Sequence, residues 1–148
     1  KLVDTDSVHL RTIPEIPQAW ANAELAEKWS KVFAVRRVIT SALEPLRQEK
    51  TIGSSLQAAP TAHLSSDLHA AVASVDFTEV AIVSGVTITE GDGPASAVRV
   101  EDIAGVSVEP TLAEGQKCQR CWQVLPEVAA NPQGICGRCE TAVSASKG

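Results

Sequence analysis

The 148-residue chain contains no methionine, and its first residue is lysine. An open reading frame starts with methionine and a packed core normally uses several, so the sequence is expected to be a piece of a longer polypeptide. No apolar run approaches the roughly 18 residues that span a bilayer, which argues against a membrane protein. No secretory or targeting segment is visible either, and the expected compartment is the cytoplasm. Basic charge is scarce where it would matter for a general polyanion binder. Residues 51–116 hold one basic side chain, Arg99, against nine acidic ones, whereas 1–50 and 117–148 carry net charges of +1 and +2. Nonspecific phosphate binding needs a basic surface, so any nucleic-acid contact must come from the two ends.

Catalytic patterns are missing as well. There is no glycine-rich phosphate loop, no Gly-x-Ser-x-Gly and no His-Glu-x-x-His. His9, His63 and His69 are scattered, and Asp92 and the pair Glu101-Asp102 lie in or near turn sequences as solvated carboxylates. No active site is expected within these residues.

What the chain does have is four cysteines, all in two Cys-x-x-Cys knuckles: Cys118 with Cys121, and Cys136 with Cys139. The fourteen residues between the knuckles fall just short of the usual window of about 15–20. Two-residue spacers let each knuckle wrap its backbone around an ion, and four thiolates close a tetrahedral site that zinc favours. A disulfide pair lacks a secretory context. A rubredoxin-like iron site would use similar knuckles, but only one aromatic, Trp122, lies beside these cysteines. Sulfur at all four positions leaves no place for water, so the zinc is expected to be structural. The apolar set of this segment (Trp122, Val124, Leu125, Val128, Ile135, Val143) is too small for a core of its own. Structural zinc contributes about 10–16 kcal/mol in finger peptides and would replace that core.

Upstream, Pro14 and Pro17 punctuate an extended lead-in. A helix is predicted from about Gln18 to Lys50, with Leu25, Trp29, Val32, Val35, Ile39, Ala42 and Leu46 on one stripe. Phe33, Val38 and Leu43 widen it to a face fit for a bundle. Pro45 should kink it near Glu44 or begin a second helix. Arg36, Arg47 and Lys50 fall within roughly 60° of one another at about 100° per residue, as a phosphate-facing stripe or as a solvated helix face. The middle segment reads as a small mixed α/β unit. Its expected elements are an edge strand over Ser55–Leu64 demoted at Pro60, and a helix over Asp67–Ser74 capped by Ser66. Strands follow over Glu79–Ser84 continuing into Val86–Thr89, and over Val98–Val108 with a bulge or turn at Gly105.

The surroundings of the cysteines are specific. Lys117-Cys118-Gln119-Arg120-Cys121-Trp122 with Cys136-Gly137-Arg138-Cys139 resembles the terminal zinc module of bacterial-type isoleucyl-tRNA synthetases. Ala42-Leu43-Glu44, Arg47, Lys50 and Ile52-Gly53-x-Ser55-Leu56-x-Ala58 resemble the segment joining that family's last anticodon-domain helix to its C-terminal region. Ser7-Val8-His9-Leu10 with Pro14, and Ile82-Val83-Ser84, fit in order, so the resemblance runs from about Ser7 to Cys139. It implies an α+β chain with three parts: 1–50, the end of a helical anticodon-binding domain; 51–116, a small mixed α/β unit; and 117–148, a four-cysteine, zinc-ribbon-like module. It also implies a parent enzyme that joins isoleucine to its tRNA with ATP and edits mischarged valine. The family's His-Ile-Gly-His and Lys-Met-Ser-Lys-Ser signatures are absent, so those activities would reside outside this chain. Implied partners are isoleucine tRNA and the parent's own N-terminal body, in a monomeric enzyme.

Arg36, Arg47, Lys50, Lys117, Arg120, Trp122 and Arg138 are the candidate RNA contacts. Arg120 and Arg138 occupy the same place in their knuckles, where a guanidinium either offsets the charge of a thiolate cluster or grips phosphate. Trp122 either covers the small core, the favoured reading, or stacks on an unpaired base. The competing readings are the zinc hairpin of a DNA-repair glycosylase, which lacks here its N-terminal proline and helix–two-turn–helix, and a zinc-anchored terminus with a purely structural role.

Overall fold

The computed structural model describes residue 12 and residues 14–146; the Ser7–Leu10 motif and His9 lie outside them. Helix α1 spans Ala23–Gln48. It begins five residues after the expected start, because Asn22 is extended and caps it, its Oδ1 accepting the Leu25 N–H at 2.9 Å. A separate 3-10 turn, Gln18–Trp20, precedes it. Of the two outcomes expected at Pro45, the second helix is ruled out: α1 runs through it to Gln48. Proline sits in the last turn, so the helix gives up one hydrogen bond, to the Ser41 carbonyl, and has only three residues beyond it to displace. Lys50, at φ 60°, then turns the chain, and the N–H groups of Thr51 and Ile52 both donate to the Leu46 carbonyl.

Val32, Val35, Val38, Ile39, Ala42 and Leu43 of α1 are buried. The first turns of the helix are not: Leu25 and Phe33 are 48% and 57% exposed, and Trp29 meets Phe33 at a 45° tilt with ring centroids 5.5 Å apart. Ile16 and Trp20, just before the helix, are exposed too, at 70% and 75%. The expected stripe is therefore half core and half surface.

The buried half of α1 lies on a four-stranded sheet built from β1 (Thr61–Leu64), β2 (Thr87–Glu90), β3 (Val98–Val100) and β4 (Ile103–Glu109), in the order β2-β1-β4-β3. β1 and β2 are parallel, joined through α2 (Ser66–Val72) and α3 (Phe77–Ala81); the other pairings are antiparallel. Ala62 and Leu64 of β1 face Val106 and Val108 of β4 in the register, and all four are buried in one core with the α1 residues. That core is continuous across position 50. Thr61, His63, Thr89, Ser107 and Glu109 alternate onto the other face. There His63 bridges Thr89 Oγ1 at 2.7 Å and Glu109 Oε1 at 2.8 Å, which accounts for a histidine that looked isolated in the sequence.

Four expectations for this unit are corrected. Ser55–Leu64 is not one edge strand: Ser55–Gln57 is a 3-10 turn with a Ser54/Gln57 capping box, and only Thr61–Leu64 is strand, at the centre of the sheet. Glu79–Ser84 is not a strand. Asp76 accepts the Thr78 N–H at 2.9 Å and starts α3, with Phe77 and Ala81 buried one turn apart, and Ile82 ends it at φ 57°. Finally, Val98–Val108 is a hairpin that turns at Glu101-Asp102, where Asp102 pairs with Arg37 of α1 at 2.8 Å. Ser65, not Ser66, occupies the N-cap position of α2.

After β4 the chain runs beside residues 57–59, with Ala59 N–H on Thr111 O at 2.9 Å and Ala113 N–H on Gln57 O at 2.8 Å. Strands β5 (Gln116–Lys117) and β6 (Val124–Leu125) then form a small antiparallel pair, and helix α4 spans Gly137–Ala145. This last part has its own core of Cys118, Val128, Ile135, Cys136 and Cys139. The architecture is α+β with a cysteine knuckle module, as the sequence implied.

Candidate metal centre

The β5–β6 turn shapes the first knuckle: Cys118 N–H donates to Gln123 O at 2.8 Å, and Trp122 N–H donates back to Cys118 O at 3.0 Å. The second knuckle opens α4, with Cys136 as its N-cap residue and Cys139 in the first turn. Gln119 N–H on Gly134 O at 2.9 Å ties the two together. All four sulfurs lie within 4.8 Å of one another. Cys121 Sγ and Cys136 Sγ are 3.7 Å apart, far beyond the ~2.05 Å of a disulfide, and all four thiols are free. A tetrahedron with Zn–S bonds of ~2.3 Å has edges of about 3.8 Å, so the cluster has the size of a four-thiolate zinc site. Cys118, Cys136 and Cys139 are buried and Cys121 is half-buried, and sulfur fills every position. The donor set suits one structural zinc.

Local electrostatics prepare one thiolate and leave the ion to deprotonate others. Burial opposes the Cys118 thiolate, but backbone N–H groups of Cys121, Cys136 and Arg120 outweigh it and bring its pKa down to about 6. Burial foremost pushes Cys121 up to about 12, and burial likewise raises Cys136. Zinc must therefore displace protons on binding, and its hold weakens as pH falls. Arg120 supplies positive charge directly, with Nη1 3.7 Å from Cys139 Sγ.

The remaining candidate contacts separate into groups. Lys117 Nζ sits 4.9 Å above the Trp122 ring, within cation–π range. Trp122 is 59% exposed at φ 71°, so the expectation that it covers the small core is not met: the turn points it outward. Arg138, unlike Arg120, leaves the cluster and pairs with Glu79 of α3 at 3.2 Å. On α1, Arg36 is half-buried with Nε donating to Val80 O at 2.8 Å, whereas Arg47 pairs loosely with Glu44 at 3.7 Å and Lys50 is exposed. Arg36 is thus drawn into the α1–α3 contact, away from the exposed end of the helix. The roles of two further residues escaped the sequence reading. Gly115, at φ 118°, lies against the Leu125–Pro126 backbone; a glycine just before a knuckle was the available hint. Ser84 is buried between the sheet unit and the metal module, and nothing local to it in the sequence signals that.

Comparison with known proteins agrees with this geometry. Residues 115–142 match the family described as a zinc finger found in FPG and IleRS. Isoleucine–tRNA ligase of Agrobacterium fabrum is 49% identical over 131 residues, which is 88% of this chain and 14% of the ligase. That of Ruegeria pomeroyi is 45% identical over 93% of the chain and 14% of the ligase, and that of Caulobacter vibrioides 47% over 85% and 13%. The chain therefore spans about one seventh of the length of these curated relatives. By the zinc-finger match, and by identity that reaches well upstream of it, this chain is similar over most of its length to a segment of the isoleucine–tRNA ligases that carries a zinc module.

Proposed function

We propose that this chain is the C-terminal, tRNA-contacting part of an isoleucine–tRNA ligase, and that its zinc module presents the Lys117–Trp122 edge to isoleucine tRNA. Zinc is held by Cys118, Cys121, Cys136 and Cys139. ATP-dependent aminoacylation and editing belong to the rest of such a ligase, a cytoplasmic, monomeric enzyme on this reading. The observation that carries it is Trp122. A left-handed backbone at a non-glycine residue costs about 1–3 kcal/mol, yet here it turns a large ring out to solvent with an ammonium over one face. An exposed ring and adjacent cations on a rigid knuckle are what an unpaired base and its phosphate require. Arg120 lies within that edge, Arg138 stands on the second knuckle, and Arg47 and Lys50 add positive charge at the end of α1.

The test is the affinity of the zinc-loaded chain for isoleucine tRNA against a noncognate tRNA across a salt series. Tighter, salt-sensitive cognate binding is expected, with Trp122→Ala losing about 1–3 kcal/mol while keeping its zinc. Unchanged binding in that variant, and in Arg120→Ala and Arg138→Ala, would favour a purely structural terminus instead. The glycosylase hairpin shares the finger, but the ligase identity over residues far upstream speaks against it.

The exposed apolar side chains at the start of α1 and just before it, Trp29 and Phe33 foremost, are, on the same reading, where the ligase's own N-terminal body packs. That body, produced separately, is expected to bind the chain and to bind Trp29→Lys at least about tenfold more weakly; equal binding would exclude these side chains.

A further inference from the structure

Ser84 is 6% exposed and sits where the sheet unit meets the zinc module. Its hydroxyl donates to Leu56 O at 2.5 Å and accepts the Val124 N–H of β6 at 2.7 Å. Its own N–H donates to Ala58 O at 3.0 Å, which fixes the serine to the sheet unit. One small side chain thereby joins two backbones. Two contacts flank it: Gln123 Nε2 on Val83 O at 3.3 Å, and the Arg138–Glu79 ion pair. The ion pair is solvated, its side chains 73% and 63% exposed, and pairs of that kind hold little. The Ser84 bonds are shielded from water, and without the hydroxyl both Leu56 O and Val124 N–H lose a partner there.

We propose that Ser84 is the positioning residue that makes the sheet unit and the zinc module one rigid body, and so fixes the angle at which the Lys117–Trp122 edge meets RNA. The RNA clause rests on the function proposed above; the rigid-body clause does not. Orientation matters because of charge. Residues 51–116, with one basic side chain against nine acidic, repel a phosphate backbone, so few orientations of the neighbouring edge are productive. Holding one of them removes an ordering cost from binding.

The experiment measures residual dipolar couplings on the zinc-loaded chain. In the wild type, couplings from both units should fit a single alignment tensor. Ser84→Ala should keep one zinc and two folded units but require two tensors, with the Val124 amide exchanging at least about tenfold faster. The double variant Glu79→Gln/Gln123→Ala, which leaves Ser84 in place, should keep the single tensor; it serves as the deciding variant if Ser84→Ala does not fold. Two tensors in the wild type or the double variant, or one tensor in Ser84→Ala, would overturn the proposal. On the RNA side, Ser84→Ala should bind isoleucine tRNA roughly tenfold more weakly with the same salt slope, since orientation changes and the phosphate contacts do not. Split tensors with unchanged affinity would overturn the RNA clause. A wild type that binds no tRNA would defeat the proposed function and leave the tensor result standing.

Discussion

Cys136→Ser is expected to release the zinc and unfold residues 117–146, while α1 and the four-stranded sheet stay folded. The two parts have separate cores. One joins Val32, Ile39, Leu43, Leu64, Phe77 and Val108 with their neighbours; the other consists of three buried cysteines, Val128 and Ile135, with Leu125 at its edge. The second buries too little apolar surface to offset the chain entropy of some thirty residues, at about 1–2 kcal/mol each for the backbone alone. The metal supplies the difference, about 10–16 kcal/mol in comparable fingers. A serine hydroxyl is a hard, weakly acidic donor in place of a soft thiolate. Cys136 also leads into α4, and its backbone N–H, which a serine keeps, points at Cys118 Sγ at 3.3 Å, so it is the release of the ion that disturbs both knuckles. Zinc stoichiometry and amide dispersion in NMR spectra check this directly. One tightly bound zinc in the variant would contradict the four-thiolate site, and collapse of the sheet unit would contradict the separation of the cores.

The metal site was readable in the sequence because a Cys-x-x-Cys knuckle is a local structure: spacing alone determines what its sulfurs can reach. Helix α1 was readable for a similar reason, since its apolar residues recur every three or four positions. What periodicity could not reveal was where the partner surface ends. Leu25 and Trp29 continue the stripe in register, yet the sheet covers only the half that starts at Val32. Segment 79–84 failed differently. Val80, Ile82 and Val83 favour strand, but the Asp76 cap and the burial of Phe77 and Ala81 against the core decide for helix, so tertiary contacts override propensity. At Pro60, a proline suggests an edge strand. It ends just outside β1, its carbonyl accepting the Thr87 N–H at 3.0 Å, and so leaves the strand free to pair on both sides. Ser84 was beyond reach altogether, because its role depends on Val124, forty residues away.

Gly115→Ala is the second change with a large expected effect, and it touches no metal ligand. A Cβ at this position would run into the carbonyl carbon and oxygen of Leu125 and the nitrogen of Pro126. These are backbone atoms, so no rotamer change relieves the overlap. The φ of 118° lies where side chains are rarely tolerated, which adds about 1–3 kcal/mol of strain. Relief requires opening the chain between Gly115 and Leu125, where β5 and β6 pair Gln116 with Leu125 and Lys117 with Val124. That pairing positions Cys118, the next residue after β5, so the damage passes to the thiolate cluster. Zinc affinity, measured by competition with a chelator, should fall by at least about 100-fold, as befits a site whose binding energy is also its folding energy. Gly91→Ala provides the control. Its φ of 132° carries comparable backbone strain, but nothing lies within 4 Å of the added carbon, and it sits in the sheet unit. That variant should lose some stability in the sheet and no zinc affinity. Equal zinc affinity in Gly115→Ala and the wild type would mean that the hairpin does not position Cys118, and that the cysteines organise around the ion by themselves.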